Sequence, residues 1–270
     1  MAVRAADADG LADRLRQTEP LPAAVAVRPV GRGRALVDAS FAVEDDAVRL
    51  VASLRAEGRR AMLRPPGGGR LVAWANVTRP VVVSSRLWVA FPWSEYDRDG
   101  VPDGTEVVEI DPGAAFGAGS HPSTQLLLGA LADRLEGGET VLDVGCGSGV
   151  LAVSAAVLGA ASAVGVDIDP AAPAVTAANA AWNGVGDRVA ASTTPLAAVR
   201  GCFGVVVANI GAAPLTDLAP ELWRRVAPGG WLGLSGLSPA QLSVVNAAFP
   251  AATLVASPRL DDWAALILAD

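Results

Sequence analysis

Residues 143–149 read Asp143-Val144-Gly145-Cys146-Gly147-Ser148-Gly149, and twenty residues on a second apolar run, Ala163-Val164-Gly165-Val166, ends in Asp167. An apolar strand that runs into a glycine-rich turn, with an acid at the tip of the next strand, is how an α/β sheet grips a nucleoside. Glycine lets the backbone approach a ligand that a Cβ would push away. A dinucleotide fingerprint has the spacing G-x-G-x-x-G, because a pyrophosphate must sit on the helix N-terminus. The spacing here is G-x-G-x-G with an acid two residues before the first glycine. That departs from the dinucleotide spacing.

Outward from this stretch, strands and helices alternate. Strands are expected at 140–143, 163–167, 205–209 and 231–235, and helices at 149–158, 170–183, 214–226 and 239–249. The strands are continuously apolar, as in a parallel sheet covered on both faces. Pro170, Pro214 and Pro239 each stand near an expected helix start, where a missing N–H costs nothing. Pro228-Gly229-Gly230 reads as the turn into the next strand, and Trp263–Leu268 as a further strand. The fold class is α/β: a doubly wound, mostly parallel, seven-stranded Rossmann-like sheet over residues 105–270.

Before it the rhythm differs. Pro20–Gly33 is rich in proline and glycine, and Pro65-Pro66-Gly67-Gly68-Gly69 is a break. Between them a strand is expected at 34–43 and an amphipathic helix at 45–57, with Val48, Val51, Ala52 and Leu54 on one side. Two strand-like runs follow, Leu71–Trp74 and Arg86–Phe91. A small α+β domain over residues 1–91, a linker over 92–104 and the sheet domain over 105–270 fit this pattern.

Composition narrows the function. Half of the 270 residues are apolar, which supports a sizeable core of Ala, Val and Leu. Every cationic side chain is arginine, as codon bias in a GC-rich coding sequence would produce. Residues 1–100 hold fifteen arginines against twelve carboxylates, residues 101–270 six against sixteen. The acidic half contains the glycine turn, so no direct nucleic-acid binding is expected there. Cys146 and Cys202 form no metal or disulfide pattern, and no metal site is expected. The first twenty residues lack the apolar stretch of a signal peptide, and the longest apolar run, Val150–Val166, is interrupted by Gly159. A soluble, cytoplasmic protein with no membrane partner is the expectation.

Upstream of the glycine turn lies Asp111-Pro112-Gly113-Ala114-Ala115-Phe116-Gly117-Ala118-Gly119-Ser120-His121-Pro122-Ser123-Thr124. Small residues around one Phe and the only His of the chain cannot build a core. They suggest a tight covering loop, with Ser123 or Thr124 capping a helix that runs on through Leu131.

Taken in order, the motifs D-P-G-x-A-F-G-x-G-x-H-P-x-T (111–124), V-L-D-V-G-C-G-S-G-x-L-A (141–152), G-V-D-I-D-P (165–170), V-V-A-N-I (206–210), A-P-G-G (227–230) and L-S-G-L (234–237) resemble the bacterial ribosomal protein L11 methyltransferases. The resemblance runs from about Arg86 to the end of the chain, and the loop motif is more specific than the glycine turn. It implies a class I methyltransferase sheet and S-adenosyl-L-methionine (SAM) as cofactor. It implies that Thr124, Gly145, Asp167 and Asn209 hold SAM, and that Phe116 and Ile168 flank its methionine and adenosine parts.

The residues themselves support several of these roles. Gly145 and Gly147 would carry the backbone around the cofactor. Asp167 would accept from ribose hydroxyls, left free for this by Asp169, the better helix cap. Asp143 would anchor either the loop or the cofactor's ammonium. Asn209 closes a strand where Asn-Pro-Pro-Tyr methyltransferases orient an acceptor amine, but here the sequence is Asn-Ile-Gly-Ala, which suits a flexible aliphatic amine. His121 is read as a loop-structuring residue rather than a general base, and no catalytic residue is assigned.

The expected function is therefore SAM-dependent N-methylation of lysine side chains or the N-terminus of a protein, with ribosomal protein L11 as the implied partner. The alternatives are methylation of another protein or a small amine, or a nucleoside-binding module without turnover. The first seventy residues do not resemble the family's substrate-docking domain.

Overall fold

Ala8, Leu11, Ala12 and Leu15 recur at the three-and-four spacing of one helix face. In a computed structural model that describes residues 2–19, 21–29, 34–42, 44–57, 79–92, 94, 96, 99–112 and 117–270, they are the buried side of a helix. The chain divides into two compact units, Met1–Pro80 with Ala90–Pro102, and Val81–Val89 with Asp103–Asp270.

The smaller unit contains β1 (Ala2–Arg4), α1 (Ala5–Leu15), β2 (Ala24–Pro29), β3 (Arg34–Ser40) and α2 (Glu44–Ala56). Its three strands are antiparallel in the order β1-β3-β2. The α1 face packs with Val37 of β3 and Leu54 of α2, and Val25, Val27 and Val51 lie against this cluster. The strand expected at 34–43 and the helix at 45–57 are β3 and α2. The side chains of Val48 and Ala52 and the strand expected at Leu71–Trp74 lie outside the described residues. Three elements of this unit, β1, α1 and β2, were hidden in the sequence. Mean apolarity is low along α1, so only its periodicity betrays it, and β2 lies within the stretch read as a proline-glycine break.

The larger unit begins with a three-stranded sheet ordered β4-β5-β6: β4 (Val81–Val82), β5 (Leu87–Ala90) and β6 (Glu106–Glu109). Residues 81–89 were expected with the N-terminal domain, but Leu87 and Val89 are fully buried in one core cluster with Val108 and Ile110. There follow α3 (Pro122–Arg134), β7 (Thr140–Val144), α4 (Val150–Val157), β8 (Ser162–Val166), α5 (Ala172–Trp182), β9 (Val189–Ser192) and β10 (Phe203–Asn209). The chain ends with α6 (Ala212–Asp217), α7 (Ala219–Arg224), β11 (Val226–Leu237), α8 (Leu242–Ala247), β12 (Thr253–Ala256), β13 (Arg259–Leu260) and β14 (Trp263–Ala269).

The main sheet has the order β12-β14-β11-β10-β7-β8-β9, seven strands on one path, with the two-residue β13 beside β14. Strands β7 to β11 are mutually parallel, and β14 is antiparallel to both β11 and β12. Successive residues of β10 serve opposite faces. Val205 and Val207 join Leu127, Leu131 and Val153 on one side, while Val206 and Ala208 join Leu215, Leu222 and Val245 on the other. Two covered faces explain why the strands are apolar throughout rather than alternating. The fold is the expected doubly wound α/β sheet.

Local chemistry adjusts the expected boundaries. The helix expected at 214–226 is two short ones, α6 and α7, broken at Leu218 because Pro220 has no N–H to continue the ladder. The helix expected at 239–249 opens as a 3-10 turn, Pro239–Gln241, fastened by a capping box between Ser238 and Gln241. Pro228-Gly229-Gly230 lies in the register shift between the pairs Phe203–Val226 and Val205–Trp231, so the expected turn is a bulge inside a longer strand. Two helices end on arginine. Arg86 donates to the carbonyls of Ala132 and Leu135 at the end of α3, and Arg188 to those of Ala156 and Ala160 after α4.

Candidate functional site

From β7 the chain steps through β8 to β9 on one side, then returns to place β10 on the other. That reversal puts a crevice at the carboxyl ends of β7 and β10, the position where open α/β sheets bind ligands. The glycine turn leaves β7 there. Gly145 has φ 76°, and a Cβ on it would lie 2.6 Å from Ile210 Cγ2, so conformation and space both exclude a side chain. Its amide donates to Val166 O at 2.8 Å, and the turn closes through Gly149 N to Cys146 O at 2.7 Å. Gly149 is required for a different reason as well: a Cβ would meet the Thr176 side chain of α5 at 2.6–2.9 Å.

Asp167 sits just beyond β8. Its Oδ2 accepts from the Gly147 amide at 2.7 Å and its Oδ1 from the Asp169 amide at 2.9 Å. The expectation that it stands free is therefore corrected: it already fastens the tip of the glycine turn. Asp169 does cap the turn into α5, accepting from Ala171 N at 2.9 Å. Because each carboxylate oxygen has two lone pairs, Asp167 retains capacity for two further donors. Beside it the Ile168 side chain is 99% exposed. A large apolar side chain wholly in water at the rim of a crevice is suited to covering a flat apolar ligand.

Asp143 is fully buried one residue inside the end of β7. Its Oδ2 accepts from the Ala152 amide at 3.1 Å, which ties the end of β7 to the first turn of α4 across the glycine turn, while Oδ1 has no hydrogen-bond partner. Of the two roles open to it, loop anchoring is the one visible in its bonds. Burial pushes its pKa up to about 7, the Ala152 amide opposes this, and the Asp167 charge adds to it. Burial and the Asp143 carboxylate likewise push the Cys146 thiol up to about 12. A thiol so far from ionisation is a small packing group, not a nucleophile.

Across the crevice, Asn209 at the end of β10 donates from Nδ2 to Thr124 Oγ1 at 2.8 Å. Thr124 lies in the first turn of α3 and is buried. Neither it nor Ser123 caps that helix, as had been expected, and the helix runs past Leu131 to Arg134. The cap is His121, whose Nδ1 accepts from the Ser123 amide at 3.3 Å and lies 2.8 Å from the Ser123 hydroxyl. Only a neutral ring can accept in this way, and partial burial lowers the His121 pKa in the same sense. The ring also packs edge-on to Trp263, with centroids 4.6 Å apart. The loop-structuring reading of His121 agrees with these contacts.

The structure thus brings Thr124 to Asn209, and Gly145 and Gly147 to Asp167, at one end of the sheet. Asp143 lies behind the turn and Ile168 outside it. Phe116 lies outside the described residues. The loop that follows is bound to the glycine turn, since Ser148 Oγ donates to Gly117 O, and a Cβ on Gly119 would lie 2.8 Å from Val89 Cγ1.

Sequence reasoning overlooked the polar face of α5. Thr176 Oγ1 donates to Gly147 O at 3.2 Å. Asn179 pairs with both backbone groups of Asp111, and Asn183 with both of Glu109. The Trp182 indole donates to Glu109 Oε2 at 2.7 Å. Two asparagines four apart, Asn179 in a mostly apolar helix and Asn183 just after it, were the available signal.

Among the described residues no group of three or more His, Cys, Asp or Glu side chains could hold a metal ion, and no helix is long and apolar enough to cross a membrane.

The sequence profile of the ribosomal protein L11 methyltransferase (PrmA) family matches residues 71–270. The chain is 48% identical over 200 residues to the ribosomal protein L11 methyltransferase of Geobacter sp. strain M21, covering 72% of this chain and 64% of that protein. The protein of the same name from Dechloromonas aromatica is 44% identical over 199 residues, again over 72% of this chain and 64% of its own. The chain thus spans about two thirds of the length of these relatives, slightly less in each case. Among solved structures, the ribosomal protein L11 methylase of Lactobacillus delbrueckii subsp. bulgaricus superposes with a TM-score of 0.65 at 33% identity, over 71% of this chain and 98% of that one.

Proposed function

Because this chain belongs to the ribosomal protein L11 methyltransferase family, we propose that it transfers methyl groups from SAM to amino groups of a protein, lysine side chains or the N-terminus, with ribosomal protein L11 as the first candidate acceptor. The observation that carries the reading is the placement of the glycine turn, Asp167 and the Asn209–Thr124 pair around one switch-point crevice.

The residues present fit a sulfonium nucleoside. Asp167 has acceptor capacity left for a ribose diol, and Ile168 offers an exposed apolar face to the base. Thr124, Gly145, Gly147 and Asn209 line the path from ribose to methionine, Asp143 supports the turn from behind, and Phe116 closes the set by resemblance. When bound, SAM would supply an already activated methyl group for a neutral amine, with the neutral thioether as leaving group.

The work left to the chain is placement, which is worth several kcal/mol for a well-oriented pair. Donation of Asn209 Nδ2 to Thr124 fixes the amide plane, so Oδ1 is the group available to accept from an N–H in the crevice. Asn-Ile-Gly-Ala has no aromatic residue to clamp a planar amine, which favours a flexible aliphatic acceptor. The smaller unit is the proposed docking element for the acceptor protein, and the cytoplasm is the proposed compartment. Because residues 1–70 lie outside the family match, a different protein acceptor is the second reading.

Labelled SAM and total ribosomal protein from cells lacking the gene test the substrate. Label on L11 is expected, and label on another protein selects the second reading. Calorimetry with SAM and with S-adenosylhomocysteine tests the site itself: a folded protein that binds neither ends the proposal.

A further inference from the structure

Polar side chains of α5 and of Asn183, the residue that follows it, hold backbone groups of the glycine turn and of the segment that leads into the loop. We propose that Asn179 is a positioning residue, joining the chain at Asp111 to the Ser148 carbonyl so that the glycine turn and the segment entering the loop move as one body. The functional half of this inference rests on the reading of the crevice as a cofactor site.

Asn179 is buried, and its amide is used in three directions. Oδ1 accepts from Asp111 N at 3.0 Å, while Nδ2 donates to Asp111 O at 2.9 Å and to Ser148 O at 2.8 Å. Asn183 makes the same two-bond pairing with Glu109, at 2.9 and 2.8 Å. The spacings agree on geometric grounds. Four residues of helix advance about 6 Å, and two residues of extended chain about 6.7 Å. Two asparagines one helical turn apart can therefore pair like a strand with alternate residues of the segment leaving β6.

Only Asn179 adds the third bond to the glycine turn, and Thr176, one turn earlier, takes the neighbouring Gly147 carbonyl. Both carbonyls are thus tied back toward α5. The Gly147 amide is left to face Asp167 and the crevice. The turn's orientation is set by α5 rather than by the glycines alone.

The experiment compares Asn179→Ala with Asn183→Ala, reading backbone amide exchange and S-adenosylhomocysteine affinity on the full chain. In N179A, exchange at Asp111 and Gly149 is expected to quicken at least tenfold while the amides of β7, β8 and β10 stay protected, and affinity is expected to fall at least tenfold. N183A, which leaves the Ser148 bond intact, should keep Gly149 protection and keep affinity within twofold. Equal losses in the two variants, or N179A within twofold of wild type on both readouts, overturn the inference. If wild type binds no S-adenosylhomocysteine, the proposed function falls, and exchange at Gly149 still decides the role of Asn179. If N179A does not fold, the wild-type side-chain amide decides. Slow exchange of its two protons supports the tie, and exchange as fast as a surface amide refutes it.

Discussion

The two units use polar side chains differently. In the smaller one, the cluster around α1 is purely aliphatic, and the ion pairs Arg14–Glu57, Arg16–Asp13 and Arg49–Asp46 lie at the surface. In the larger one, Thr124, Asp143, Ser148, Thr176, Asn179 and Ser235 are all buried. Most of these hold backbone groups around one end of the sheet, and Ser235 Oγ belongs with them, donating to Ser123 O at 2.9 Å. A buried polar group costs free energy unless it is paired, so such a concentration marks where orientation matters more than packing. Around α1 the described core of the smaller unit is apolar, while in the larger unit directed bonds from buried polar side chains are added to burial.

The sharpest test of that contrast is Asp143, the buried carboxyl with one oxygen unpartnered. Its native pKa is raised to about 7, while in the unfolded chain it returns to the ordinary carboxylate range. Between those two values the native state holds a proton that the unfolded chain releases, so stability falls as pH rises through this window. The loss reaches about 4 kcal/mol above pH 7, at about 1.4 kcal/mol per pKa unit. Asp143→Asn removes the ionisation and keeps an acceptor for Ala152. Relative to wild type, its melting temperature is expected to gain steadily between pH 4.5 and 8. Two parallel curves would mean that Asp143 is not the group responsible.

In the smaller unit the corresponding lever is apolar. Leu11→Ala, in the middle of the buried α1 face, is expected to cost about 3 kcal/mol, within the usual range for a buried leucine. Amide exchange across α1 and β3 should quicken, with S-adenosylhomocysteine affinity unchanged. A drop in affinity would show that the distinction between the units is false.

The same contrast explains what could be read in advance. The parallel sheet was legible because Val141, Val164, Val206 and their neighbours form continuous apolar runs, and the glycine turn because Gly145 and Gly149 sit where a Cβ has no room. Thr124 and Asn209 were picked out by motif, and their direct bond could not have been, since it spans 85 residues. The α5 clamp was missed for the same reason: Asn179 meets Asp111 across 68 residues, and an asparagine in a helix looks locally like a weak helix former. Burial patterns are periodic and therefore written locally. Directional bonds between distant segments are not.

Asp167→Ala measures direction at the crevice without disturbing the core. It removes the acceptor for Gly147 N and Asp169 N, and the proposed acceptor for a ribose diol. A tenfold loss of SAM affinity is expected, about 1.4 kcal/mol, with folding retained. Unchanged affinity would remove Asp167 from the site and leave it a turn-fastening residue.

The smallest effect is expected where a polar contact is most visible and least constrained. Arg14 Nη2 meets Glu57 Oε2 at 2.8 Å, joining α1 to the residue that follows α2 across 43 positions. By its sequence separation it resembles the Asn179 contacts. The difference is solvent: the two side chains are 53% and 41% exposed, so water screens the pair and both chains lose rotamer freedom in making it. Arg14→Ala is therefore expected to change stability by under about 0.5 kcal/mol, with no change in S-adenosylhomocysteine affinity. Chemical denaturation at low and high salt checks this, since a screened pair leaves the variant's midpoint close to wild type in both. A shift as large as that of Leu11→Ala would mean that this exposed pair holds the smaller unit together as strongly as its apolar cluster does.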